Sequence, residues 1–278
     1  MWEMISKTFL ETVRITFIVT ILMIIIEFFE LRYKDKIREA ITESPLKQYL
    51  ISSIMGAIPG CIGAFFIVSL YVHGLVGIGA LAAVMLSTAG DEAFIMLTMI
   101  PRESLLIFGI CIIVGIVGGF LTDKIAGFIK LKTCQPCVIE FHEEKLTLKH
   151  FLKEHVSNHV IKRHVPKLFL WLFSTMLAVD FLMVTFDVEK IIPQNKLLLI
   201  ILAALIGIIP ESGPHLAFTI LFSKGLIPFS VLLVNTISQD GHGLLPLISY
   251  SVKDTVYVQI FTTLVALIVG IVLFLIGL

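Results

Sequence analysis

GAIPGCIGAFFIVSLYVHGLVGIGALAAVMLSTAGDEAFIML occupies residues 56–97, and GIIPESGPHLAFTILFSKGLIPFSVLLVNTISQDGHGLLPLI occupies 207–248. Both stretches are apolar, and both are interrupted by glycine and proline. Laid over each other without a gap, at an offset of 151, the interruptions coincide: Gly56 on Gly207, Pro59 on Pro210, Gly74 on Gly225, Ser87 on Ser238 and Gly90 on Gly241. Chance likeness between apolar segments matches Leu and Ile but does not readily align the helix breakers, so an internal duplication is expected.

The surrounding composition fixes the class. The chain has 278 residues, 57% hydrophobic and 15% charged, with a mean hydropathy of +0.99. A soluble domain carries about a quarter of its residues as charges. Between residues 48 and 100 the only charged side chains are Asp91 and Glu92; between 197 and 252 they are Glu211, Lys224 and Asp240. An all-α, polytopic integral membrane protein is expected, with the lipid bilayer as its first partner. Soluble enzymes, nucleic-acid binders and secreted disulfide scaffolds are excluded in practice. The expected organisation is a first membrane repeat over 1–123, a cytoplasmic linker over 124–165 and a second membrane repeat over 166–278. The run from Phe9 to Leu31 predicts a first spanning helix, retained rather than cleaved, followed by a charged loop over 31–49 with Pro45 as a boundary. Its counterpart in the second half is the apolar run over 167–186.

Orientation follows from charge. The loop over 31–49 holds five Lys or Arg and the segment 123–167 holds nine, so both are expected on the cytoplasmic side of the cell's inner (plasma) membrane. The first half must then cross an odd number of times, and the second copy is inverted. The short segments leave two counts open: five crossings per half if each spans, three if some re-enter. Broken helices inside a membrane are tolerable only where protein or a wet cavity satisfies the freed backbone groups. The breaks at Gly56, Pro59, Gly90, Gly207, Pro210 and Gly241 therefore mark the inside of the bundle.

Polar residues at those breaks are the candidate transport path. Asp91 and Glu92 follow Gly90; an ionised carboxylate at mid-membrane costs about 2.5–3.5 kcal/mol on insertion scales and needs a cation, a proton or a base. The alternative is that they cap the helix that follows. The matching stretch of the second half supplies Asn235, Gln239, Asp240 and His242. Oxygen ligands alone suit Mg²⁺ or Ca²⁺, and an added imidazole shifts the preference toward Mn²⁺ or Zn²⁺; His242 bonding a broken-helix carbonyl is the alternative. Glu211 and His215, four apart, share a face if that segment is helical. Glu27 and Asp180 lie deep in apolar helices and are candidates for a proton relay, or for hydrogen bonds to a neighbouring helix. Cys61 and Cys111 read as small hydrophobes. In the linker, Cys134 and Cys137 form a CxxC, and His155 and His159 are one helical turn apart. The four could hold a peripheral Zn, with an ordinary amphipathic linker as the alternative.

The paired GDEAF and SQDG signatures, at 90–94 and 238–241, resemble a family of ten-helix heavy-metal exporters that also carries a manganese-transporter label. The likeness extends over nearly the whole chain. It implies a secondary transporter exporting a divalent metal cation, with the metal as substrate, protons as a coupling partner and no required cofactor. His242 stands where the family has a further acid, which leaves the ion open. Two other classes stay in view: a carrier of an organic or anionic solute, and an intramembrane enzyme or structural component. An anion path calls for basic groups, and none lies between 48 and 100. No GxxxxGK[ST], HExxH or GxSxG is present, so neither ATP hydrolysis nor enzymatic chemistry is expected. A homo-oligomer is compatible with all of this.

Overall fold

The computed structural model describes residues 2–128, 162, 165–185, 195–210 and 212–276. Twelve α-helices and one 3-10 turn are found among them, and no strand. Helix α1 runs from Trp2 to Ile41, 40 residues without interruption. The charged stretch expected to be a loop is therefore helical as far as Ile41. Its physical reason is composition: Arg32–Ala40 lacks glycine and proline and is rich in Lys, Arg, Glu and Ala, which favour helix. At 1.5 Å per residue the helix is about 60 Å long, twice a hydrocarbon core of about 30 Å, so one end projects from the bilayer. The connection shrinks to Thr42–Ser44. There Ser44 accepts from the Lys47 amide (3.3 Å) and Pro45 opens α2, a proline in the first turn behind a serine cap.

Helices α2 (Pro45–Ala57) and α3 (Ile62–Val72) form a hairpin. The start of α4 (Ile78–Ser87) lies at the same end of the bundle as the start of α2. The Gly77 amide donates to Gln48 Oε1 (3.1 Å), and the Gly79 amide donates to Asp123 Oδ1 (2.8 Å). Tyr49 closes the group by donating to Asp123 Oδ2 (2.6 Å). The α2–α3 pair thus returns to the end it left and cannot carry the chain across. Helices α4 and α5 (Glu92–Met99) together cover Ile78–Met99, 22 residues with a break inside, and α6 (Pro101–Phe128) comes back to the Asp123 end. At about 33 Å, the broken pair has the length of a crossing. Helix α6 also continues past residue 123, the expected domain boundary.

The second half contains α7 (Val165–Thr185), α8 (Lys196–Gly207), α9 (Ser212–Ser223), α10 (Phe229–Ser238), the 3-10 turn Gly241–Gly243, α11 (Leu244–Tyr250) and α12 (Val252–Leu275). Helices α4 and α10 begin and end at positions related by the same offset of 151. The left-handed glycines recur in the same register: φ is 71° at Gly74 and 73° at Gly225, 52° at Gly90 and 55° at Gly241. Only glycine adopts such a φ without strain, which is why these breakers align in sequence. Gly119 approaches Tyr49 and Ala83, while Gly270 approaches Ile200 and Val234, the corresponding residues.

Helices α2, α4 and α6 pack together, as do α8, α10 and α12, and α4 meets α10 between the two groups. The hairpins cross over: α3 packs on the 3-10 turn and α11, while α9 packs on α5. Helix α7 lies antiparallel to α1, since Thr8 bonds Asp180 (2.8 Å) and Thr12 bonds Met176 (3.7 Å). Among the described residues, Ile78–Met99, Pro101–Phe128 and Val252–Leu275 are each long and apolar enough to cross a membrane. The outward faces of the last two carry exposed Leu105, Ile113, Val117, Ile260, Leu264 and Ile268. Exposed aliphatic residues in such number suit contact with lipid rather than water. The chain is a multi-pass membrane protein.

The glycines of α6 divide into two sets. Gly115, Gly118 and Gly119 are buried against neighbouring helices, whereas Gly109 is exposed with open space around it. A Cβ on Gly115 would meet Ser53 Oγ at 2.6 Å and the Ala83 carbonyl at 2.8 Å. Gly115→Ala is accordingly expected to lower stability by about 1–2 kcal/mol. Gly109→Ala, on the same helix, is expected to be neutral or to raise stability by about 0.5–1 kcal/mol. Melting of the purified variants in detergent would separate the two.

Candidate functional site

The breaks of the two halves meet at the centre. Between α2 and α3 the Gly60 amide donates to the Gly90 carbonyl (3.0 Å), joining the first break to the second. From the other half Gly241 faces Thr88, with a Cβ there falling 3.6 Å from the threonine methyl. Thr88 and Gln239 hold the same place in their halves, each the C-cap of its helix, α4 or α10. The site is closed to solvent: Glu92, His215, Asn235, Gln239 and Asp240 are at most 2% exposed and Asp91 7%.

Glu92 reaches across the boundary between halves. Its Oε1 accepts from Thr219 on α9, and its Oε2 accepts from Gln239 Nε2 at the end of α10 (3.1 Å). The His215 imidazole lies near enough to act on it electrostatically. His215 stands in the first turn of α9, with Nδ1 3.1 Å from Asn235 Oδ1 and Nε2 3.0 Å from the Ile209 carbonyl. Asn235 in turn donates Nδ2 to the Ala203 carbonyl (3.0 Å), which fixes its amide with the oxygen toward the histidine. Both imidazole nitrogens therefore face acceptors, and both contacts are hydrogen bonds only if the ring carries two protons. Gln259 on α12 donates to the Ile208 carbonyl (2.8 Å), so the α8–α9 break is tied from two sides.

Asp91 occupies the N-cap position of α5 yet makes no side-chain cap bond. Its Oδ1 accepts from the Cys61 thiol (3.3 Å) instead. Capping is thus not what this carboxylate does, and Cys61 is not merely a small hydrophobe: it sits at the first break, facing the acid of the second. Cys111 lies in the apolar core, as its sequence surroundings imply. Asp240 follows the end of α10, and neither of its carboxylate oxygens takes a hydrogen bond from the described residues. Thr262 on α12 faces that carboxylate, but its hydroxyl donates to the Gln259 carbonyl (3.1 Å).

Asp180 lies elsewhere. It is paired with Lys224 (2.7 Å) and accepts from Thr8 (2.8 Å), near the start of α1, so its contacts hold α1, α7 and the end of α9 together. Glu211, Cys134, Cys137, His155 and His159 lie outside the described residues. Glu27 and His242 are placed only by their backbone, in α1 and in the 3-10 turn. Among the described residues no three His, Cys, Asp or Glu side chains form a group able to hold a metal. Three members of the site, Cys61, Thr219 and Thr262, do not stand out in the sequence as polar candidates. Thr219 alone has a local signal, one helical turn from His215 on the same face.

The model of the ArsP_2 family, described as "Putative, 10TM heavy-metal exporter", matches residues 2–179 and 153–277. The chain belongs to this family. The family is described as one of membrane exporters, which is not an enzyme class. No curated protein and no solved structure matches the chain.

Proposed function

We propose that this family member is a secondary exporter of a divalent transition-metal cation, with Mn²⁺ the first candidate, driven by inward movement of protons. The observation that carries it is the Glu92–Gln239 bond, which places a buried carboxylate of one half against the helix break of the other. Binding where two sets of broken helices meet is how many inverted-repeat transporters are built. Inversion is supported by the antiparallel α1 and α7. The hairpin turns support it too: Gly77 lies beside the end of α6, whereas Lys224 lies beside the start of α1. With α1 ending and α6 ending on the side of the Lys/Arg-rich segments, that side is the cytoplasm. Rocking of one half on the other would open the closed centre to each face in turn. The acids Asp91, Glu92 and Asp240 give the path a negative character suited to a cation.

Inside-out vesicles supply the test. Mn²⁺ is expected to accumulate when the lumen is acidic, and accumulation should stop when a protonophore dissipates the gradient. Asp91→Asn, at matched protein level, should reduce the initial rate at least about tenfold, since a hard charged ligand is lost while the volume is kept. Flux of an organic anion in place of Mn²⁺, Zn²⁺ and Cd²⁺ would refute metal export.

A further inference from the structure

Two of the three central carboxylates, Glu92 and Asp240, are in opposite situations. Glu92 is saturated: one oxygen accepts from Thr219, the other from Gln239, and a histidine whose two nitrogens both face acceptors stands beside it. Asp240 is as deeply buried, at 2% exposed, and finds neither a hydrogen bond nor a counter-charge among the described residues. Lys224, the basic residue of the stretch 197–252, is paired with Asp180. Helix α10 ends two residues before Asp240, so the negative pole of that helix adds to the charge rather than offsetting it. A buried charge left in this state is strongly unfavourable unless something outside the chain completes it.

We infer that Asp240, with the facing Thr262 hydroxyl, is the seat of the transported cation, and that Glu92 is a latch between the halves rather than a ligand. This rests on the metal-export function proposed above and gives two of its acids separate roles. The seat has the chemistry for a cation: a carboxylate with both oxygens open, a hydroxyl able to turn from the Gln259 carbonyl, and the carbonyl end of α10. The latch has the chemistry for a switch between arrangements, because both hydrogen bonds to Glu92 come from the other half and must break if α5 separates from α9 and α10. Glu92 is on this account a positioning residue, and its loss acts on movement rather than on binding.

Equilibrium dialysis of the purified full-length chain against Mn²⁺ and Cd²⁺, paired with vesicle flux, separates the roles. Asp240→Asn is expected to weaken binding at least about tenfold and Thr262→Val about threefold. Glu92→Gln is expected to bind within about threefold of the parent while its flux falls at least about tenfold. Thr262→Val keeps the test sharp should Asp240→Asn fail to fold. Parent-like binding in Thr262→Val or Asp240→Asn, or loss of binding in Glu92→Gln, overturns the assignment and leaves metal export standing. A parent protein that binds neither metal overturns both.

Discussion

Replacing His215 with leucine is expected to lower stability by about 3–5 kcal/mol and to silence transport, because it removes the ring that stands beside the buried Glu92 carboxylate. The leucine also leaves the Asn235 amide oxygen and the Ile209 carbonyl without their donor, at the break that the ring helps to tie. Adding Glu92→Gln to His215→Leu removes the buried carboxylate while keeping the size, so the double variant should recover most of the lost stability. It should not recover transport, since the double variant has lost the Glu92 carboxylate that latches the halves. Melting of the four proteins in one detergent completes a double-mutant cycle. A His215→Leu variant that melts with the parent, or a cycle with no coupling, would mean that the two side chains do not act as a pair.

That pair also marks where sequence legibility ends. The offset of 151 is readable because left-handed glycines and close approaches admit no other residue: Gly74, Gly90, Gly225 and Gly241 are fixed by backbone conformation, Gly56 and Gly207 by space. Chemistry does not follow the same symmetry. His215 and Glu92 correspond to Ala64 and Gly243, which also approach each other, a Cβ on Gly243 falling 2.8 Å from that of Ala64. One crossover of the fold thus carries a polar pair, and its counterpart carries the two smallest side chains. Aligning the halves shows the mismatch in residue type but not that the positions touch, because the crossing of α3 onto α11 and of α9 onto α5 is a property of the tertiary fold. Cys61 reads as a plain hydrophobe for the same reason: its partner Asp91 is 30 residues away in the chain and comes to it through the hairpin. The helical reach of α1 through the charged stretch is, by contrast, available from propensity alone, and the hydrophobic boundary at Leu31 obscures it.

Gly207→Ala is expected to cost about 3 kcal/mol, the upper range for overpacking, and to be rescued to within about 1 kcal/mol by Ser238→Gly. Gly207 ends α8 where it meets the last turn of α10. A Cβ there would overlap Ser238 Oγ and lie 2.7 Å from Ser238 Cβ, and the next atom, the Ser238 carbonyl carbon, is at 3.1 Å. Removing the serine side chain clears the worst of the overlap and leaves a few tenths of an ångström to be absorbed. Gly56 meets Ser87 in the same register, but there a Cβ would also fall 2.5 Å from the Val84 carbonyl oxygen. Backbone cannot be deleted, so Ser87→Gly should recover less than half of the cost of Gly56→Ala. Each double variant is compared with its own serine-to-glycine single variant, which carries a separate helix penalty of up to about 1 kcal/mol. Prising α8 from α10 also stretches the Asn235–Ala203 bond that orients the amide toward His215, so Gly207→Ala should lose transport together with stability. Equal rescue in the two halves, by melting in detergent, would show that the close approaches are interchangeable and that the Val84 carbonyl yields; no rescue in either would mean that Ser238 is not what Gly207 makes room for.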